Sequence, residues 1–126
     1  MSIRFDGLIR AFRYAVAVPA YRFVKFGAAD TDVTLSIAAG DATIGASIEL
    51  AVDAGQRGDV AMTGIAPVTY GGVVGRGDPV TSDAQGRAIV AAPGAGVRMR
   101  YAGFAQVSGV LGDVGSVHLQ PGFITG

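Results

Sequence analysis

Of the residue types on which ordinary active sites depend, this chain of 126 residues has almost none. There is no cysteine, which excludes disulfides, thiolate metal sites and a cysteine nucleophile, and leaves stability to packing and association. The sole histidine, His118, cannot combine with scattered single carboxylates into a zinc site or a Ser-His-Asp triad. In the run Ser116-Val117-His118-Leu119 it reads as a hydrogen-bonded structural residue on a strand face. Charged residues make up only 16%, below the usual quarter, so an isolated monomer has few charges to cover its surface and association is expected. Long apolar runs are missing too. Ala15 to Val18, closed by Pro19, is too short for the core of a secretory signal or for a membrane span, and the nearby arginines do not gather on one helical face. No catalytic residue, metal ligand, cofactor or membrane contact is therefore assigned.

What the chain has instead is glycine, 20 residues of it, spaced among short Val, Ile and Ala runs. That distribution signals many turns rather than low complexity. The stretch Gly64 to Ala88 shows the grammar best. Val68, Tyr70, Val73, Val74 and Val80 supply strand-forming positions, while Asp78-Pro79 and Asp83-Ala84-Gln85-Gly86 supply turn chemistry. Gly77 and Gly86 are expected to take backbone conformations that a residue with a Cβ resists. Tyr21 to Phe26 reads as a strand, as do Thr31 to Ile37, with Val33, Leu35 and Ile37 on one face, and Thr43 to Leu50, thinned at Gly45 where another backbone comes close. Val97 to Val107 is the longest clear strand in this reading. A weak repeat relates Ile44-Gly45-Ala46, Gly58 to Met62 and Gly64-Ile65 to Ala102 to Ala105, Gly115 to Leu119 and Gly122-Phe123. It implies two related hairpins in one barrel. No helical period is sustained after the N-terminal segment, so the fold class is all-β, a small Gly-rich β-barrel or sandwich with its edges closed.

Net charge is zero, but its sign is divided. Met1 to Phe26 hold Arg4, Arg10, Arg13, Arg22 and Lys25 against Asp6, together with six of the ten aromatic residues. Since aromatic and Arg side chains dominate interface cores, residues 1–20 read as an extended arm that grips another subunit, and 21–126 as the β-barrel body. Phe5, Arg10, Phe12, Arg13, Tyr14, Tyr21 and Arg22 are the contact candidates, and the arm packed as a strand or short helix on its own domain is the competing reading.

Three motifs mislead. Gly71 to Gly77 suggests a phosphate loop, yet no Gly-Lys-Ser/Thr and no helix follow. Arg57-Gly58-Asp59 and Arg76-Gly77-Asp78 are chance RGD tripeptides at loop-to-strand turns, and Asp78 with Asp83 is a carboxylate pair that turn chemistry already accounts for. Nucleic acid is excluded as a partner by neutrality, a pI near 6.5 and the lack of a basic stripe on the body.

Gly77-Asp78-Pro79-Val80-Thr81 with Asp83 to Ala88, following Gly64-Ile65-Ala66-Pro67-Val68, resembles the head-decoration or capsid-cement proteins of tailed bacteriophages. The likeness runs from Tyr21 to Gly122 and includes Ala38 to Asp41 with Ile44-Gly45, Gly58-Asp59-Val60, and Gly103 to Ala105 with Val117 to Leu119. It implies a non-enzymatic virion protein, without cofactor, that binds the outer surface of the assembled capsid. Its partners would be the major capsid protein and further copies of itself, as a homotrimer or a homodimer. The aromatic segment before Tyr21 departs from the family's commoner short N-terminus. Two other classes stay open: a phage tail or baseplate β-module, and a surface- or carbohydrate-binding domain. The latter calls for a concave aromatic patch, for which the body offers Tyr70, Tyr101, Phe104 and Phe123.

Overall fold

Alternation of buried with less buried side chains, the period dictated by the pleat, marks the end of the first strand, residues 65–68 and residues 114–120. The computed structural model describes residues 7–48 and 50–126, and all regular structure among them is strand. The elements are β1 (Ile9–Tyr14), β2 (Phe23–Phe26), β3 (Asp32–Leu35), β4 (Thr43–Ser47), β5 (Arg57–Ala61), β6 (Gly64–Thr69), β7 (Pro79–Ser82), β8 (Ala88–Val90), β9 (Arg98–Ala105) and β10 (Val114–Thr125).

The first five close into a barrel in the order β1-β3-β2-β4-β5, and the rest form a sheet in the order β6-β10-β9-β7-β8. Closure joins β5 back to β1, antiparallel from Ile9↔Ala61 to Arg13↔Arg57, and removes the edges that strands of four to six residues would otherwise expose. Phe12, Tyr14, Val18, Val24, Val33 and Val60 fill the barrel. Phe23, Ala46 and Ala61 point the other way and join Val68, Tyr70, Val80, Ala105 and Val117 between barrel and sheet. Adjacent Phe23 and Val24 are both fully buried because β2 has a core on each face.

Glycine appears in the repeat where a partner backbone comes close. A Cβ at Gly45 would collide with the Ala61 carbonyl, and one at Gly103 with the His118 carbonyl. Both repeat units are antiparallel hairpins, β4–β5 and β9–β10, but they lie in different sheets rather than in one barrel. The longest strand is β10, with 12 residues, not the Val97–Val107 segment. A register shift between Leu119 and Gly122 carries it past Pro121.

The extended arm is corrected as well. From Ile9 onward the segment is a barrel strand, paired on one side with β5 and on the other, in parallel, with β3 through Arg13↔Asp32 and Tyr14↔Val33. Its aromatics alternate with arginine because β1 has one face inside the barrel, so a division at residue 20 would cut a closed sheet.

Candidate contact surface

The residues singled out in the N-terminal segment fall into different environments. Phe5 lies outside the described residues. Phe12 and Tyr14 are buried at 2% and 0% exposure and cannot serve as contacts. Phe12 meets Phe26 edge-on at 6.0 Å. The Tyr14 hydroxyl donates to the Asp59 carbonyl at 2.7 Å; burial, then the charge of Asp59, pushes its pKa up to about 12. Arg10 is exposed, with its guanidinium 5.2 Å from the Phe12 ring centroid, and Arg13 reaches Asp32 at 3.3 Å while staying half in solvent.

Tyr21 and Arg22 form a structural corner between the two sheets. Tyr21 holds φ at 60°, a left-handed conformation costly for a residue with a Cβ. Its N–H donates to Ile48 and its carbonyl accepts from Thr69, which fixes it from both sides. Arg22 donates to the Gln85 carbonyl at 3.0 Å, and its buried Nε has no partner. Burial, reinforced by Arg87 and opposed by Asp83, lowers its pKa.

Carboxylates that suggest chemistry are engaged in building loops. Asp83 Oδ1 accepts from the N–H groups of Gln85 and Arg87, and Oδ2 accepts from Arg87 Nε, each at 2.8 Å. Asp78 accepts from Gly75 N–H and Asp113 from Val110 N–H, both at 2.9 Å. Asp41 takes Ile37 and Ala38 N–H together with Lys25 Nζ. Burial alone would raise the pKa of Asp41 and Asp83, but these donors outweigh it and hold both below the ordinary value. Among the described residues no group of three His, Asp or Glu side chains is placed to hold a metal ion. His118 is on a strand face, exposed on the outer side of β10 between Ile65 and Phe104. Arg57-Gly58-Asp59 is part of strand β5, whereas Arg76-Gly77-Asp78 is a turn.

What the molecule does present is two exposed surfaces on the second sheet. At one end the loops 71–78 and 106–113 are tied by a Val74↔Gly109 bridge, while the Tyr70 hydroxyl donates to Val107 from below at 2.6 Å. On this base stand Val73, Val107, Val110, Leu111 and Val114, large apolar residues of which Val73 is 79% exposed. Gathered apolar exposure of this kind marks an interaction site more often than single exposed residues do. At the other end Arg98 and Arg100 place their guanidinium carbons 4.0 and 5.0 Å from the Phe123 ring centroid. The Arg-aromatic signature of an interface thus occurs on β9 and β10. The alternation Arg98-Met99-Arg100 and the late Phe123 were the available signals, outweighed by the aromatic count near the N-terminus. Tyr70 is fully buried, and no concave patch unites it with Tyr101, Phe104 and Phe123.

No family model matches the chain, and no curated protein matches it. Among solved structures, the N base of the head fiber gp8.5 of bacteriophage phi29 is similar over 90% of this chain and 93% of that one, with 20% identity and a TM-score of 0.69. At that identity the likeness establishes a shared fold: the barrel and its companion sheet are an arrangement also found in the base of a phage head fiber.

Proposed function

We propose that the chain is a non-enzymatic structural protein of a tailed-phage virion that binds the outer surface of the assembled capsid, cements neighbouring capsid subunits, and does so as a homo-oligomer. The observation that carries the reading is the shared fold with a head-fiber base, matched over nearly the full length of both chains. Gly77-Asp78-Pro79-Val80 and the motifs around it support the same assignment from the sequence side.

Phe12 and Tyr14 are core residues, so the capsid-facing role passes to the apolar loop end formed by Val73, Val107, Val110, Leu111 and Val114. A rigid base beneath these loops lowers the ordering cost of binding. Cementing then follows from linkage: a protein that binds the assembled lattice better than separated subunits shifts the equilibrium toward assembly by RT ln(1 + [L]/Kd). Joining several copies makes the later contacts intramolecular and adds avidity of about a hundredfold or more.

The test is co-sedimentation. The parent should pellet with undecorated, assembled capsids of the phage that encodes it, saturating at a fixed ratio, and stay in the supernatant with unassembled capsid protein. Val73→Asp and Leu111→Asp, both at exposed positions, should fold normally and reduce binding at least tenfold. Parent protein that never pellets with capsids would overturn the reading.

A further inference from the structure

The outer part of the β9–β10 hairpin is left with no neighbouring strand. Arg98 to Tyr101 pair with Gly122 to Thr125, but β7 reaches only Phe104 and Gly103, and β6 stops opposite Leu119. A two-stranded ribbon by itself is marginal in water. One of its faces is supported by the barrel, where Met99 lies against Gly40, and a cavity of about 120 Å³ between ribbon and barrel is bordered by Arg100, Tyr101, Phe123, Asp41 and Thr43 among others. Cross-strand register pairs Arg100 with Phe123 and Arg98 with Thr125, so both arginines and the 48% exposed Phe123 share the face turned away from Met99, with exposed Val97 just before them. Among the described residues neither arginine has a carboxylate partner.

The barrel bears a surface of opposite character. Between β4 and β5 a shallow groove of about 460 Å³ is lined by Leu50, Ala51, Val52, Asp53, Arg57 and Asp59 among others. Leu50 is 69% exposed, and neither aspartate forms an ion pair among the described residues. One surface therefore offers two cations on an aromatic platform, and the other an excess of anions, Asp53 and Asp59 against Arg57, beside an exposed leucine, within a chain of net charge zero.

We propose that the Arg98–Arg100–Phe123 ribbon of one copy docks into the Leu50–Asp59 groove of a second copy. This rests on the reading that the chain self-associates, and names the surfaces that do it. Because ribbon and groove are different patches, the contact is head-to-tail, and a rotation that closes makes a ring. Docking covers the unsupported ribbon face, buries Phe123 and Leu50, and sets both arginines against the carboxylates, the geometry in which Arg is the favoured interface cation.

Charge reversal tests this on the full chain, with molar mass measured by light scattering after gel filtration. The parent should run as an oligomer whose mass falls as salt is raised. R98E/R100E and D53R/D59R should each run as monomers, while the quadruple variant, with both patches reversed, should regain the oligomer. Circular dichroism and melting checks that each variant is folded. A monomeric parent, an R98E/R100E variant that keeps its oligomeric mass, or a folded quadruple variant that stays monomeric would each overturn the proposal. Capsid co-sedimentation of the same parent separates the two readings: an oligomer that ignores capsids removes only the capsid role, and a monomer that pellets with them removes self-association and this interface but keeps capsid binding.

Discussion

Phe12 and Tyr14 decide, at the scale of single residues, what the first strand is for. Both fill the barrel, so Phe12→Ala should cost the protein about 3–5 kcal/mol in urea unfolding, as large-to-small core changes do. A surface anchor would leave the midpoint nearly unchanged. Tyr14→Phe removes one buried hydrogen bond and should cost about 1 kcal/mol at neutral pH. It should also change the alkaline limb. The Tyr14 phenol titrates near 12 in the folded protein and about 10 when unfolded. Its contribution is therefore complete below about pH 10 and is lost as pH rises toward 12. Tyr70, raised by burial and then by Asp113, acts in the same direction. Urea midpoints measured from pH 9 to 12 should fall less steeply for Tyr14→Phe than for the parent; parallel curves would contradict the burial argument. On the acid side the sign is opposite. Asp41 and Asp83 are held below the ordinary value, so their contribution is present above the usual carboxylate range and lost as pH falls through their folded values. Of these roles the loop-forming aspartates were legible in sequence, because Asp beside Gly and Pro has a local mechanism. The burial of Phe12 was not. Its alternation with Arg13 and Tyr14 is a strand period, but the partner strands β3 and β5 are remote in sequence and leave no mark beside it.

Among elements, the turns and the barrel closure make separate predictions. Gly77 and Gly86 both hold positive φ, at 92° and 73°, as their sequence context implies. They differ in surroundings. A Cβ at Gly77 meets open space, whereas one at Gly86 would lie 2.5 Å from Leu35 Cδ1 and 3.1 Å from the Phe23 carbonyl. Gly77→Ala should therefore cost about 1 kcal/mol from backbone strain alone, and Gly86→Ala distinctly more, on the order of 2 kcal/mol or above. Equal shifts in melting temperature would show that the loop from Asp83 to Arg87 is not packed against β2. Removing residues 1–20 is more drastic. It deletes β1, opens the barrel and bares the edges of β3 and β5, so the truncated chain should lose cooperative unfolding or aggregate. A truncated protein that melts cooperatively like the parent would contradict the closed barrel. The hairpins of the repeat and the all-β class could be read from glycine spacing and period two, since both are local. The assignment of the two hairpins to different sheets could not, because it depends on which side of β2 each core layer occupies. The length of β10 was hidden for a different reason: Pro121 and Gly122 interrupt its pattern, and only the register shift between the Leu119↔Gly103 and Gly122↔Tyr101 pairs keeps the strand continuous.

The whole molecule presents an apolar loop end at one extremity of the second sheet and an Arg-aromatic ribbon at the other, on a scaffold shared with a phage head-fiber base. In the functional account the first surface meets the capsid and the second joins copies. At the coarsest level the low charge carried only an expectation of association. The positions of the two surfaces depended on tertiary pairing and emerged only with the sheet order. Binding that favours the assembled lattice must make the shell harder to disrupt, by an amount that grows with free ligand concentration. The most direct measurement is the temperature at which undecorated capsids break down, followed by light scattering, with and without saturating parent protein. The account predicts a rise in that temperature that depends on protein concentration and is abolished by Leu111→Asp. An unchanged breakdown temperature, with the chain demonstrably folded and in excess, would contradict the cementing role.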